Sequence, residues 1–121
     1  MTLAFEAQYI SCADAMGGEI LQVTFDTISE DQGEEGRRTP YVLIGCNFEF
    51  YDSVAIEWHD GRDYEGGAKI LAVTLSRTCI LIKLDQELDI DVTFCLSDRK
   101  FTQLTSFLRM MIDDDRIAFT D

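Results

Sequence analysis

Basic residues, proline and histidine are all scarce in these 121 residues, and each scarcity excludes something. Ten Lys and Arg stand against 23 Asp and Glu, a formal net charge of −13. A field of that sign repels nucleic-acid phosphates and anionic membrane, and it steers basic partners toward the protein. The expected partners therefore include no nucleic acid and no membrane. The one proline, Pro40, leaves nearly the whole chain free to join ladders or helices. No window approaches the roughly 18 continuous apolar residues of a membrane span. The opening MTLAFEAQYI has Glu6 within its apolar stretch and no basic flank, so it reads as a first strand rather than a secretory signal. A cytoplasmic location with reduced thiols is the expectation.

Clustered metal ligands are also missing. Cys12, Cys46, Cys79 and Cys95 are scattered and form no CxxC pair. Three of them sit in apolar, strand-like segments, where cysteine behaves as a small buried hydrophobe. The lone histidine, His59, lies beside Asp60 and near Asp63, but no HExxH, GxSxG, P-loop or GxGxxG pattern accompanies it. It reads as a solvated turn residue. No catalytic residue, metal site or cofactor is expected, and the chain is read as no enzyme.

What is present is ordinary globular material: 46% hydrophobic and 27% charged residues. A single domain over residues 1–121 follows, burying about two-thirds of the unfolded surface. Leu3, Phe5, Ala7 and Tyr9 alternate over Leu3–Ile10, the mark of a half-buried strand. After a turn at Met16-Gly17-Gly18, Leu21, Val23 and Phe25 mark a second strand that could pair with the first as a long hairpin. The run from Ser29 to Thr39 is polar and charged, and reads as a mobile surface loop. Tyr41–Phe48 reads as a strand buried on both sides, and Tyr51–Trp58 as another.

The C-terminal half has the clearest pattern. Lys69–Ser76, Cys79–Leu84 and Asp89–Leu96 form an antiparallel meander with one apolar face. Ser97 then caps a helix whose Phe101, Leu104, Phe107, Leu108 and Met111 repeat every three or four residues. That stripe must cover a sheet, and the meander offers one. Arg116–Thr120 adds a short edge strand. The predicted fold class is α+β, a mostly antiparallel sheet packed against one C-terminal amphipathic helix.

Carboxylates at Asp85, Glu87, Asp89 and Asp91 invite a calcium reading. An EF-hand loop counted from Asp85 would need glycine and glutamate where Ile90 and Leu96 stand, so these are solvated strand and loop residues. Gly66-Gly67 lacks the lysine and following helix of a phosphate cradle and reads as a bulge or tight turn. Trp58 and Tyr64, interleaved with Asp60, Asp63 and Glu65, suit protein-binding anchors; the alternative for Trp58 is a core position.

The step Tyr64-Glu65-Gly66-Gly67 into Ile70–Arg77, then Ile80–Leu84, resembles Imm10-type immunity proteins of bacterial polymorphic toxin systems. The later strand and amphipathic helix, Phe94 to Met111, are similar to the rest of that pattern. The resemblance implies a small protein that binds and neutralises a cognate toxin domain. Charge adds that this toxin is basic, as a nuclease would be. The expected contact surface is Trp58, Asp60, Asp63, Tyr64 and Glu65 together with Glu30, Asp31, Glu34 and Glu35. Like charge opposes self-association, so a monomer or weak homodimer is expected. Two competing readings are a small-ligand or enzymatic domain with a pocket between sheet and helix, and a subunit assembled through apolar strand edges.

Overall fold

The computed structural model describes residues 2–15, 17, 20–27, 39–47 and 54–120. Within them the order is β1 (Thr2–Glu6), β2 (Tyr9–Ala15), β3 (Ile20–Asp26), β4 (Tyr41–Asn47), β5 (Ala55–His59) and β6 (Tyr64–Ala68). There follow β7 (Ile70–Leu75), β8 (Cys79–Leu84), β9 (Asp89–Thr93), α1 (Asp98–Met111) and β10 (Ile117–Phe119). The α+β class is as the sequence predicts, with the meander β7-β8-β9 and the C-terminal helix in place. The single expected sheet is two: β1-β9-β8-β7-β10 and β2-β3-β4-β5-β6.

Two corners join these sheets. At the first, consecutive amides feed different sheets: Ala7 N–H donates to Thr93 O at 2.8 Å, and Gln8 N–H to Asp26 O at 2.8 Å. At the second, only Lys69 separates β6 from β7. The Asp85 carboxylate accepts from Lys69 N–H at 3.0 Å, and Asp85 N–H donates to Lys69 O at 3.1 Å. Counting each bent strand once, the nine strands β1–β9 reduce to a seven-stranded ring. In a meander the first and seventh strands run the same way, so the closing pair must be parallel. The β1–β9 pairing is parallel, Thr2 opposite Asp89 through Glu6 opposite Thr93.

The first corner corrects the expected Leu3–Ile10 strand and its hairpin. Leu3, Phe5 and Ala7 turn inward, but beyond the bend the inward set is Ile10 and Cys12, and Tyr9 is 49% exposed. The alternation changes phase at Ala7-Gln8 because the strand changes sheets there. Only β2 pairs with β3. Gly17, within the predicted turn after β2, has φ +69°, while Met16 and Gly18 lie outside the described residues. Likewise β4 buries one face, Val42, Ile44 and Cys46, and leaves Tyr41 and Leu43 half-buried. The far end of that predicted strand (Phe48) and the start of the next (residues 51–53) lie outside the described residues.

One apolar core draws on both sheets and the helix, with the Phe25 and Phe94 rings stacked 6.2 Å apart. Ser97 caps α1 by accepting from Lys100 N–H at 3.1 Å. Leu104, Leu108 and Met111 are buried, with Phe101 and Phe107 half-buried beside them. The helix does not cover the meander, because the second sheet already does. It lies mainly against β3 and β2. Arg109 lies 4.1 Å over the Phe119 ring of β10, so α1 bridges the edge strands of the two sheets. β10 itself runs parallel to β7. Among the described residues no helix is long and apolar enough to cross a membrane.

Candidate partner-binding site

Strand direction gathers distant turns at one end of the ring. Asp26 pairs with Tyr41, Tyr41 with His59 and His59 with Tyr64, so the β3–β4 connection and the β5–β6 turn leave from the same edge. The β8–β9 turn, at Asp85–Leu88, and the start of β1 reach that end as well, since Thr2, Gln86 and Leu88 line one groove with Asp60 and Arg62. Asp60, Asp63, Glu65, Asp85 and Glu87 therefore crowd one end, against Arg62 and Lys69. The other end, where the β7–β8 turn meets the start of α1, carries Arg77, Arg99 and Lys100; Arg77 pairs with Asp98 and lies 4.8 Å over the Phe101 ring.

The β5–β6 turn is rigidly organised around Asp60. Its Oδ1 accepts from Arg62 N–H and Asp63 N–H, both at 2.8 Å, and its own N–H donates to Asp63 O at 3.2 Å. The Asp63 and Arg62 amides hold the Asp60 carboxyl below the usual aspartate range. Gly61, at φ +100°, supplies the left-handed residue of the turn and donates to His59 Nδ1 at 2.9 Å. His59 is half-buried and stacks on Tyr41 with ring centroids 6.0 Å apart. Its ring thus packs on the sheet while its Nδ1 serves the turn. Among the described residues no group of three or more His, Cys, Asp or Glu is placed to hold a metal ion.

The five predicted contact residues of this region divide by face. Tyr64 is 59% exposed on the outer face, where the neighbouring Glu57 carboxylate pushes its phenol up. Asp60, Asp63 and Glu65 are exposed. Trp58, only 4% exposed, takes the core position that the sequence leaves open as its alternative. The period of two explains why, since Val42, its partner on β4, is also fully inward. The other predicted group, Glu30, Asp31, Glu34 and Glu35, lies outside the described residues. Its flanks are described: Thr27 Oγ1 donates to Pro40 O at 2.9 Å, closing the base of that connection at the same acidic end.

Residues that sequence reasoning missed complete the region. A groove of about 640 Å³ opens between the ends of the two sheets. Leu3 and Leu88 come from the first sheet's side, Trp58 and Glu65 from the second, and Asp60 and Arg62 from the turn. No lining residue comes from α1, so the cavity is not the predicted one between sheet and helix. Glu65 reaches it because it stands opposite Trp58 on the inner face of the sheet's edge strand. Nothing in the sequence joins Leu3 to Leu88, whose neighbourhood depends on ring closure. Comparison of the chain with protein-family models, with curated proteins and with solved structures gives no match.

Proposed function

We propose that this chain is a non-enzymatic immunity-type protein that binds and neutralises a basic toxin domain through its acidic end. The observation that carries the reading is convergence. Carboxylates from turns far apart in sequence meet on one end, while Arg99 and Lys100, with Arg77 paired to Asp98, stand at the other. A surface polarised in that way orients an incoming basic protein before contact and accelerates its association. A nuclease suits it as a partner, since an enzyme of nucleic acid needs a basic face and occlusion of that face is inhibition enough.

Affinity capture of the tagged protein from its source cells at low salt, followed by mass spectrometry of a salt eluate, tests the proposal. One basic protein in stoichiometric amount, whose activity stops on adding the purified chain, is the expected result. A stoichiometric partner that is acidic, or whose activity is unaffected, contradicts it.

A further inference from the structure

The groove at the acidic end has a shape and chemistry of its own. Its lining brings the apolar residues Leu3, Leu88 and Trp58 together with the acidic residues Asp60 and Glu65. Asp60 is held ionised and in place by two backbone N–H groups of its own turn. Arg62 is the one cation in the lining, exposed and without an ion-pair partner among the described residues. A lining of apolar and acidic residues matches a long side chain with an aliphatic stem and a cationic head. The field of a chain at −13 selects the same charge.

We infer that this groove is the receptor for a single arginine or lysine side chain presented by the basic protein partner. The stem lies against Leu3, Leu88 and Trp58, and the head pairs with Asp60 and Glu65. Arg62 opposes the incoming cation, so it tunes the site against weakly held basic residues. A guanidinium gains more than an ammonium, because its planar donors pair with two carboxylates at once. This assignment rests on the binding reading above, but its test needs no partner, so either can fail without the other.

The test is a titration of the isotope-labelled full chain, followed by backbone amide and Trp58 indole resonances. The probes are n-butylguanidinium, n-butanoate as the anionic control, and the capped peptide Gly-Gly-Arg-Gly-Gly. Butylguanidinium is expected to saturate shifts at Leu3, Trp58, Glu65 and Leu88, with a dissociation constant on the order of millimolar. Asp60→Asn with Glu65→Gln is expected to weaken it roughly fivefold, and Arg62→Ala to strengthen it about twofold. The two variants must move affinity in opposite directions, which a merely structural effect would not produce. The peptide is expected to bind at least as well as the free cation. No saturable shift at the groove, or butanoate bound through Arg62, overturns the inference. Free butylguanidinium bound tenfold or more tighter than the peptide also overturns it, and marks a small-molecule site instead.

Discussion

Trp58 and Glu65 face each other across neighbouring strands, both on the inner side of the sheet, yet one is core and the other rim. The difference is distance from the sheet edge. β6 is the outermost strand, and Glu65 lies two residues past the exposed turn residue Asp63, where the sandwich opens. The same pair therefore belongs to the fold on one side and to the groove on the other.

Burial of the only tryptophan has a direct optical consequence. Trp58 emission is expected to be blue-shifted and poorly quenched by iodide in the folded chain, and to redden on unfolding. An exposed-indole spectrum for the native protein would contradict the core placement. Trp58→Ala is expected to cost about 3–5 kcal/mol in denaturant unfolding.

The thiols should separate by reactivity. Burial, and then the hydrogen bond that Cys79 Sγ donates to Asp91 Oδ1 at 3.1 Å, push the Cys79 thiol up to about 11. Burial also raises Cys46 and Cys12, the latter partly offset by Lys100. Iodoacetamide at pH 8 is expected to label exposed Cys95 first and Cys79 far more slowly. Asp91→Asn removes the charge that opposes the thiolate, so Cys79 labelling should rise. A folded value above the unfolded one means stability that is present below the ordinary thiol range and lost as pH climbs toward about 11.

The Asp60 turn has the opposite sign. Its folded value is depressed, so its contribution holds above the ordinary aspartate range and disappears as pH falls below it. Hydrogen exchange at Arg62 and Asp63 is expected to quicken, relative to the intrinsic rate, as the carboxylate protonates in acid. Asp60→Ala should loosen the same two amides at neutral pH, whereas Asp60→Asn keeps an acceptor oxygen and should loosen them less.

The helix offers two stability tests. Ser97→Ala removes the acceptor of Lys100 N–H and is expected to cost about 1 kcal/mol. Leu104→Ala, at a fully buried position, is expected to cost about 2–5 kcal/mol. Urea unfolding of both variants measures the difference; a smaller loss for Leu104→Ala than for Ser97→Ala would mean that α1 does not pack on the core.

Local signals were legible in the sequence and closure was not. The alternation of Ile80, Ile82 and Leu84 against Ile90 and Val92, and the Ser97 cap, are short-range patterns, and each lies where it was predicted. The corner at Ala7-Gln8 leaves only a slip of phase, and a phase read over four residues continues across it into Tyr9. The helix was assigned to the meander because a second sheet cannot be read from strands whose partners are unknown. Of the site, the turn at Asp60–Asp63 is visible as composition, and Tyr64 and Glu65, the first residues of β6, are exposed. The groove was invisible, because Leu3, Arg62 and Leu88 meet only when the first and last strands of the ring pair.

The central claim is that the location of the negative charge, beyond its amount, recruits a basic partner. Two charge-matched variants test it: Asp60→Asn, Asp63→Asn, Glu65→Gln at the acidic end, and Glu6→Gln, Asp14→Asn, Asp98→Asn toward the opposite end. Both are captured from source cells at low salt beside the unmodified chain. The account predicts that one basic protein is retained by the unmodified chain and by the second variant, and that it is lost or strongly depleted from the first. Equal retention by both variants, or equal loss, would show that the acidic end is not where the partner binds.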